Sequence, residues 1–141
     1  MQARDIATKP VESSQRDDDG SLNVLIVEDE ALIMLDLSLC VESHGMRVAG
    51  EALSLDEGFR LADVSSPDVA LLDINVGADQ VWPLARHLAA NGVAFVFVSA
   101  NLHHPELCDE FATSPRLEKP ASDEQIAAAL KLAVAQCPSK D

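Results

Sequence analysis

Short apolar runs and longer amphipathic stretches alternate along the chain from residue 22 onward. Residues 22–27 (LNVLIV) are a β-rich run that stops at Glu28-Asp29-Glu30. Residues 31–43 are helical in composition, and Gly45 follows as the closing cap. Residues 47–52 are a second and weaker strand. Ser54-Leu55-Asp56-Glu57 has capping-box spacing, with Ser54 as N-cap and Glu57 reaching back, and predicts a helix to about Val64. Ser65-Ser66-Pro67 is the turn after it. Residues 68–72 (DVALL) form a third strand that ends on Asp73. Asp79 is placed to cap a helix to about Ala90, with Pro83 tolerated in or near its first turn. Residues 93–98 (VAFVFV) are a fourth strand, followed by Ser99-Ala100-Asn101. A poor helix over 105–112 and a short fifth strand over 115–118 lead to Lys119-Pro120. Ser122 and Gln125 form a second capping box, and Ile126, Leu130, Ala133, Val134 and Cys137 share one face of the last helix.

Five strands thus alternate with five helices. Several strands are apolar on both faces, as buried parallel strands are. The expected fold is a doubly wound α/β sandwich: a five-stranded parallel sheet between two helical layers, joined by right-handed crossovers. It occupies one domain, residues 22–137. Residues 1–21 are polar and carry an acidic run before Gly20, so they read as a disordered tail, and 138–141 as a polar end. In such sheets ligands bind beyond the carboxyl ends of the strands.

Composition narrows the function. The 141 residues are 48% apolar and 24% charged, which is globular. No apolar run approaches a membrane span, and no secretory signal opens the chain, so no membrane partner is expected. Cys40, Cys108 and Cys137 have no metal or dithiol spacing and read as reduced thiols of a cytoplasmic protein. Ten basic residues face 24 acidic ones, a net charge of −14, which argues against nucleic acid as a partner. An acidic protein can still bind phosphate through a metal ion.

The carboxyl ends of the predicted strands supply that chemistry. The first gives Glu28, Asp29 and Glu30, the third Asp73, the fourth Ser99, and the fifth Lys119 followed by Pro120. Carboxylates converging in a partly dry pocket repel one another, and a hard divalent cation, Mg²⁺ or Mn²⁺, relieves this. With Lys119, the ion neutralises an incoming phosphoryl group. Asp73 can then attack phosphorus to give an acyl phosphate, with the Ser99 hydroxyl as a donor to a phosphoryl oxygen.

The set VLIVEDE (24–30), LLDIN (71–75), FVSA (97–100) and LEKP (117–120) resembles a response-regulator receiver domain, over about residues 22–136. Residues 73–83 (DINVGADQVWP) and the stretch after them also resemble stand-alone α-proteobacterial receivers. The resemblance implies a flavodoxin-like fold and a role for each position. Asp73 is the phosphoacceptor, and Glu28, Asp29, Asp73 and the Asn75 backbone carbonyl hold the metal. The Ser99 hydroxyl follows the phosphoryl group, and Lys119 pairs with it, with Pro120 often in a cis bond. Asn75 and Asn101 tune hydrolysis of the acyl phosphate. Implied partners are a sensor histidine kinase or a histidine phosphotransfer protein, and a downstream protein target, the chain itself being a monomer or weak homodimer. It is then no enzyme beyond its own phosphorylation and dephosphorylation. The initial Met and polar ends are read as those of a whole protein, with no output segment after the last helix.

Three departures bear on output. Arg116 stands three positions before Lys119, where the family carries an aromatic switch residue, and a guanidinium is not expected to turn inward as a ring does. Ala121 replaces the usual Phe after Lys-Pro, and the Met-Pro and Asp-Gly residues common after the phosphoacceptor are missing. The competing functions are a phosphorelay shuttle, a binding switch, a phosphorylation-independent adaptor, and a Mg²⁺-dependent phosphatase. The last needs a second acid or base two residues after its nucleophile, where this chain has Asn75. His103 and His104 read as solvated residues, and Trp82 as packed core. Leu32, Ile33, Met34, Leu35, Leu37, Leu39 and Val41 cover more than one face of the first helix, which fits either full burial or an apolar patch for a partner.

Overall fold

The computed structural model describes residues 20–137. The tail and polar end expected from the sequence lie outside these, apart from Gly20 and Ser21. Twelve elements follow in order among the described residues. They are β1 (Asn23–Val27), α1 (Ala31–Ser43), β2 (Arg47–Ala52), α2 (Leu55–Ser65), β3 (Val69–Leu72), β4 (Asn75–Val76), β5 (Asp79–Gln80), α3 (Trp82–Ala90), β6 (Ala94–Ser99), α4 (Pro105–Cys108), β7 (Arg116–Glu118) and α5 (Asp123–Gln136). The main sheet is parallel with order β2-β1-β3-β6-β7, and β4 and β5 form a separate antiparallel hairpin. The strand order reverses beside β1, so the expected doubly wound sandwich is present.

Period-two alternation divides the strands between two cores. Val24, Ile26, Val69, Leu71, Val96 and Val98 pack under α1 and α5. Leu25, Val27, Ala70, Leu72 and Phe97 pack under the opposite layer, with Leu84, Ala85 and Leu88 of α3. β1 and β3 are thus lined on both faces, which explains their unbroken apolar sequence.

Local signals fix the helix ends. Gly45 has φ +80, and the bonds Gly45 N–H to Glu42 O (3.1 Å) and Met46 N–H to Val41 O (3.1 Å) form a Schellman motif closing α1. Ser122 and Gln125 make the full capping box of α5. At α2, Ser54 Oγ accepts the Glu57 N–H, but the Glu57 carboxylate takes the Leu53 N–H instead of that of Ser54.

Two elements depart from the expectation. Asp79 does not cap α3: it pairs with Val76 in the hairpin, and the helix starts at Trp82 with Pro83 in its first turn. A tight turn at Gly77 (φ +62) makes the hairpin possible, since that conformation suits glycine. The helix expected over 105–112 is regular only over Pro105–Cys108, and turns carry the chain to Ser114.

Candidate functional site

The sheet's own ladder carries three site residues to one edge. Beyond the strand ends, Glu28 N–H donates to Ala52 O (3.0 Å), Asp73 N–H to Val27 O (3.0 Å), and Lys119 N–H to Ser99 O (2.9 Å). Glu28, Asp73 and Lys119 are therefore placed by backbone bonds between neighbouring parallel strands, and Ser99 by its position as the last residue of β6.

The side chains converge in the same place. Lys119 Nζ donates to Glu28 Oε1 (2.8 Å) and to Asp73 Oδ2 (3.3 Å). Glu28 Oε2 accepts the Glu30 N–H at 3.1 Å. One carboxylate oxygen each from Glu28, Asp29 and Asp73 lies within 4.8 Å of the others. The Glu28 side chain is 1% exposed, that of Asp73 10% and that of Lys119 22%, so one cation faces two buried anions. Burial pushes the Asp73 carboxyl up from 3.8 to about 6; Lys119 opposes the shift and Glu28 adds to it. For Lys119, burial acts downward, but the bond it donates to Glu28 and the charges of Asp73 and Glu28 outweigh it and hold the ammonium above its ordinary value.

This donor set fits a hard divalent cation. It consists of carboxylate oxygens alone, offers one exposed member (Asp29), and carries more negative charge than Lys119 neutralises. Mg²⁺ and Mn²⁺ both match it.

Ser99 is buried, and its Oγ accepts the Asn101 N–H at 3.4 Å. Asn101 is exposed, with its Oδ1 accepting the His103 N–H at 2.8 Å. Asn75 is exposed at the start of the hairpin. The Lys119–Pro120 peptide is cis. Arg116 departs from the expectation for a guanidinium at its position: it is half-buried, because backbone carbonyls, not carboxylates, surround it.

Two features escaped the sequence reading. The hairpin reaches the acidic site: Gly77 N–H donates to Asp29 Oδ2 at 2.9 Å. The sequence signal was Gly77 between the short pairs Asn75-Val76 and Asp79-Gln80, which is weak without a longer strand pattern. His104 is also not the solvated residue expected. Its ring packs edge-on against Trp82 at 5.6 Å, and its Nε2 is buried without a hydrogen-bond partner. Trp82 is core, as expected, and it stacks on Phe111 (5.6 Å, 18°).

Comparison with known proteins agrees with this fold. No family model matches the chain. It is 29% identical over 116 residues to the transcriptional regulatory protein PdtaR of Mycobacterium tuberculosis H37Rv, covering 80% of this chain and 57% of that protein. It is 33% identical over 106 residues to the phyllosphere-induced regulator PhyR of Methylorubrum extorquens, covering 71% of this chain and 36% of that protein. The chain thus spans little more than half of the first relative and about a third of the second. Among solved structures, the signal receiver domain of a modulated diguanylate cyclase from Desulfovibrio desulfuricans superposes with a TM-score of 0.73 at 28% identity, covering 82% of this chain and 95% of that one. The receiver domain of the Erythrobacter litoralis PhyR response regulator gives 0.71 at 28% identity, covering 86% and 95%.

Proposed function

The chain carries a response-regulator receiver domain of two-component signalling, and from that premise we propose that it accepts a phosphoryl group from a phosphohistidine onto Asp73. The observation that carries the proposal is the Lys119 ammonium bonded at once to Glu28 and Asp73, beside a third carboxylate. The Asp73 carboxylate attacks phosphorus. The O–P bond forms as the N–P bond breaks, and its electron pair leaves with the imidazole. Glu28, Asp29, Asp73 and the Asn75 carbonyl would hold Mg²⁺ or Mn²⁺, which would supply positive charge against the phosphoryl oxygens. Lys119 neutralises a second share of that charge, and the Ser99 hydroxyl donates to a phosphoryl oxygen.

Intact mass after incubation with acetyl phosphate tests this directly. A gain of one phosphoryl group is expected with Mg²⁺, none in chelator, and none in Asp73→Asn. If neither acetyl phosphate nor a phosphorylated histidine protein adds the group, the domain is a phosphorylation-independent adaptor.

The histidine-bearing partner docks on α1. Full burial of this helix, one of the two readings of its sequence, is excluded: Leu32, Leu35 and Leu39 are 79%, 54% and 55% exposed. Their spacing makes one stripe along the helix. Beside it lies a groove of about 750 Å³, lined by Ile33, Leu39, Cys40, Ile126, Lys119 and Pro120 among others. A helical partner seated there brings its imidazole to the Asp73 edge. Leu32→Ser combined with Leu35→Ser is expected to slow transfer from a phosphorylated histidine phosphotransfer domain by at least about tenfold, the loss of two apolar contacts. Phosphorylation by acetyl phosphate should be unchanged.

A further inference from the structure

Arg116 has no part in the phosphoryl site, yet it is among the most heavily bonded side chains described. It opens β7, three residues before Lys119. Its Nη1 donates to Leu107 O (2.6 Å), and its Nη2 reaches Phe111 O (2.6 Å), Ala112 O (3.0 Å) and Ser114 O (3.0 Å). Its Nε also donates to Ser114 O, at 3.1 Å. These carbonyls belong to the stretch where a long helix is missing. Of the four, the Leu107 carbonyl lies in α4, which stops after four residues and leaves its last carbonyls without intrahelical partners, and the carbonyls of Phe111, Ala112 and Ser114 lie in the turns after it. A planar fork of five N–H donors is suited to gather several such carbonyls, and an ammonium is not. The packing of 105–114 is otherwise thin: Leu107 and Phe111 are its buried residues, and Arg86–Glu110 ties it at the surface.

The chain from Asn101 to Ser114, which leads into and includes this stretch, is reached twice from the phosphoryl site. One route runs from Ser99 Oγ through Asn101 to the His103 amide. The other runs from the Asp73 loop through Trp82, which packs against both His104 and Phe111. A movement of the Ser99 hydroxyl or of the loop after Asp73 therefore acts on the stretch that Arg116 holds.

We propose that Arg116 is a positioning residue that clamps 105–114 in the resting conformation, and that phosphorylation of Asp73 loosens this clamp and uncovers the aromatic surface around Trp82 and Phe97. This inference rests on the phosphoryl reading above. The two-state element is then a backbone segment held by one guanidinium, not a ring that changes rotamer.

Amide hydrogen exchange on the full chain, with Mg²⁺ and beryllium fluoride as the phosphoryl mimic, tests it. In the native chain, amides of 105–114 should exchange at least about tenfold faster with the mimic, the equivalent of one charge-assisted bond lost. Amides of β1 and β3 should not change, and Asp73→Asn should show no response. In Arg116→Ala the stretch should already exchange fast and gain nothing further, while acetyl phosphate still adds one phosphoryl group by mass. Arg116→Lys keeps the charge but not the fork, and should lie between; it carries the test if the alanine variant does not fold. A native chain that gains the phosphoryl group without faster exchange in 105–114 overturns the clamp and leaves the proposed function standing. An alanine variant that keeps the full increment reduces Arg116 to a structural residue. A native chain that gains no phosphoryl group from any donor overturns both.

Discussion

Lys119→Met should lower the unfolding free energy by about 3 kcal/mol at pH 7.5 in chelator, the usual scale for removing one partner of a buried ion pair. The loss does not come from the lysine's own contacts. It comes from Glu28 and Asp73, 1% and 10% exposed, which are left facing each other without a cation. Urea denaturation at two pH values makes the origin visible. The native Asp73 carboxyl already sits at about 6 instead of 3.8, and removing the ammonium that opposes this shift drives it higher. A carboxyl raised in the folded state favours folding at low pH and loses that contribution as pH rises through its folded value. The deficit of Lys119→Met should therefore shrink markedly at pH 5. Millimolar Mg²⁺ should recover more stability in the variant than in the native chain, because the ion takes over the role of the missing charge. Phosphorylation by acetyl phosphate should fall on the order of 10–100-fold, the scale for losing one preorganised charge at a transferring group. A loss below about 0.5 kcal/mol, the same at both pH values, would mean that the three side chains do not act as one cluster.

That cluster was legible in the sequence for a simple reason. Each member stands at or just past the end of a predicted strand, and in a parallel sheet such positions lie on one edge. Glu28, Asp73, Ser99 and Lys119 needed only the strand ends to be right by about one residue. The local elements with strong signals, such as the Gly45 cap and the Ser122–Gln125 box, were legible as well. The hairpin was not. Two-residue strands have no periodicity, and Asp79 next to a helical stretch reads as a cap in any single sequence. The use of Arg116 was invisible for another reason. Its partners are carbonyls of the end of α4 and of the turns after it, and backbone carbonyls leave no trace in the sequence. His104 next to Pro105 gave polarity but no partner, and its contact with Trp82 spans 22 positions of chain that fold together only through the sheet.

Asp73→Asn should stabilise the metal-free protein by about 1–2 kcal/mol at pH 7.5, and this is the clearest thermodynamic mark of a site built for an absent charge. The native carboxyl is raised to about 6 by burial first and Glu28 second, so ionising it in the folded state costs free energy that the unfolded chain does not bear. The cost is absent below pH 3.8, grows as pH rises toward 6, and is constant above. At 1.36 kcal/mol per pH unit the shift sets an upper limit, and partial contact with solvent reduces it to the stated range. An asparagine keeps an oxygen for the Lys119 ammonium and removes the charge beside Glu28. The advantage should disappear near pH 4, where the native group is protonated as well. It should reverse in about 10 mM Mg²⁺, because only the native chain offers three carboxylates to the ion. Urea denaturation at pH 4 and 7.5, with and without Mg²⁺, gives all four values in one series. A variant less stable than the native chain at pH 7.5 in chelator would show that the Lys119 pair outweighs the burial of Asp73. A variant that stays more stable in Mg²⁺ would show that Glu28, Asp29 and Asp73 do not hold the ion together.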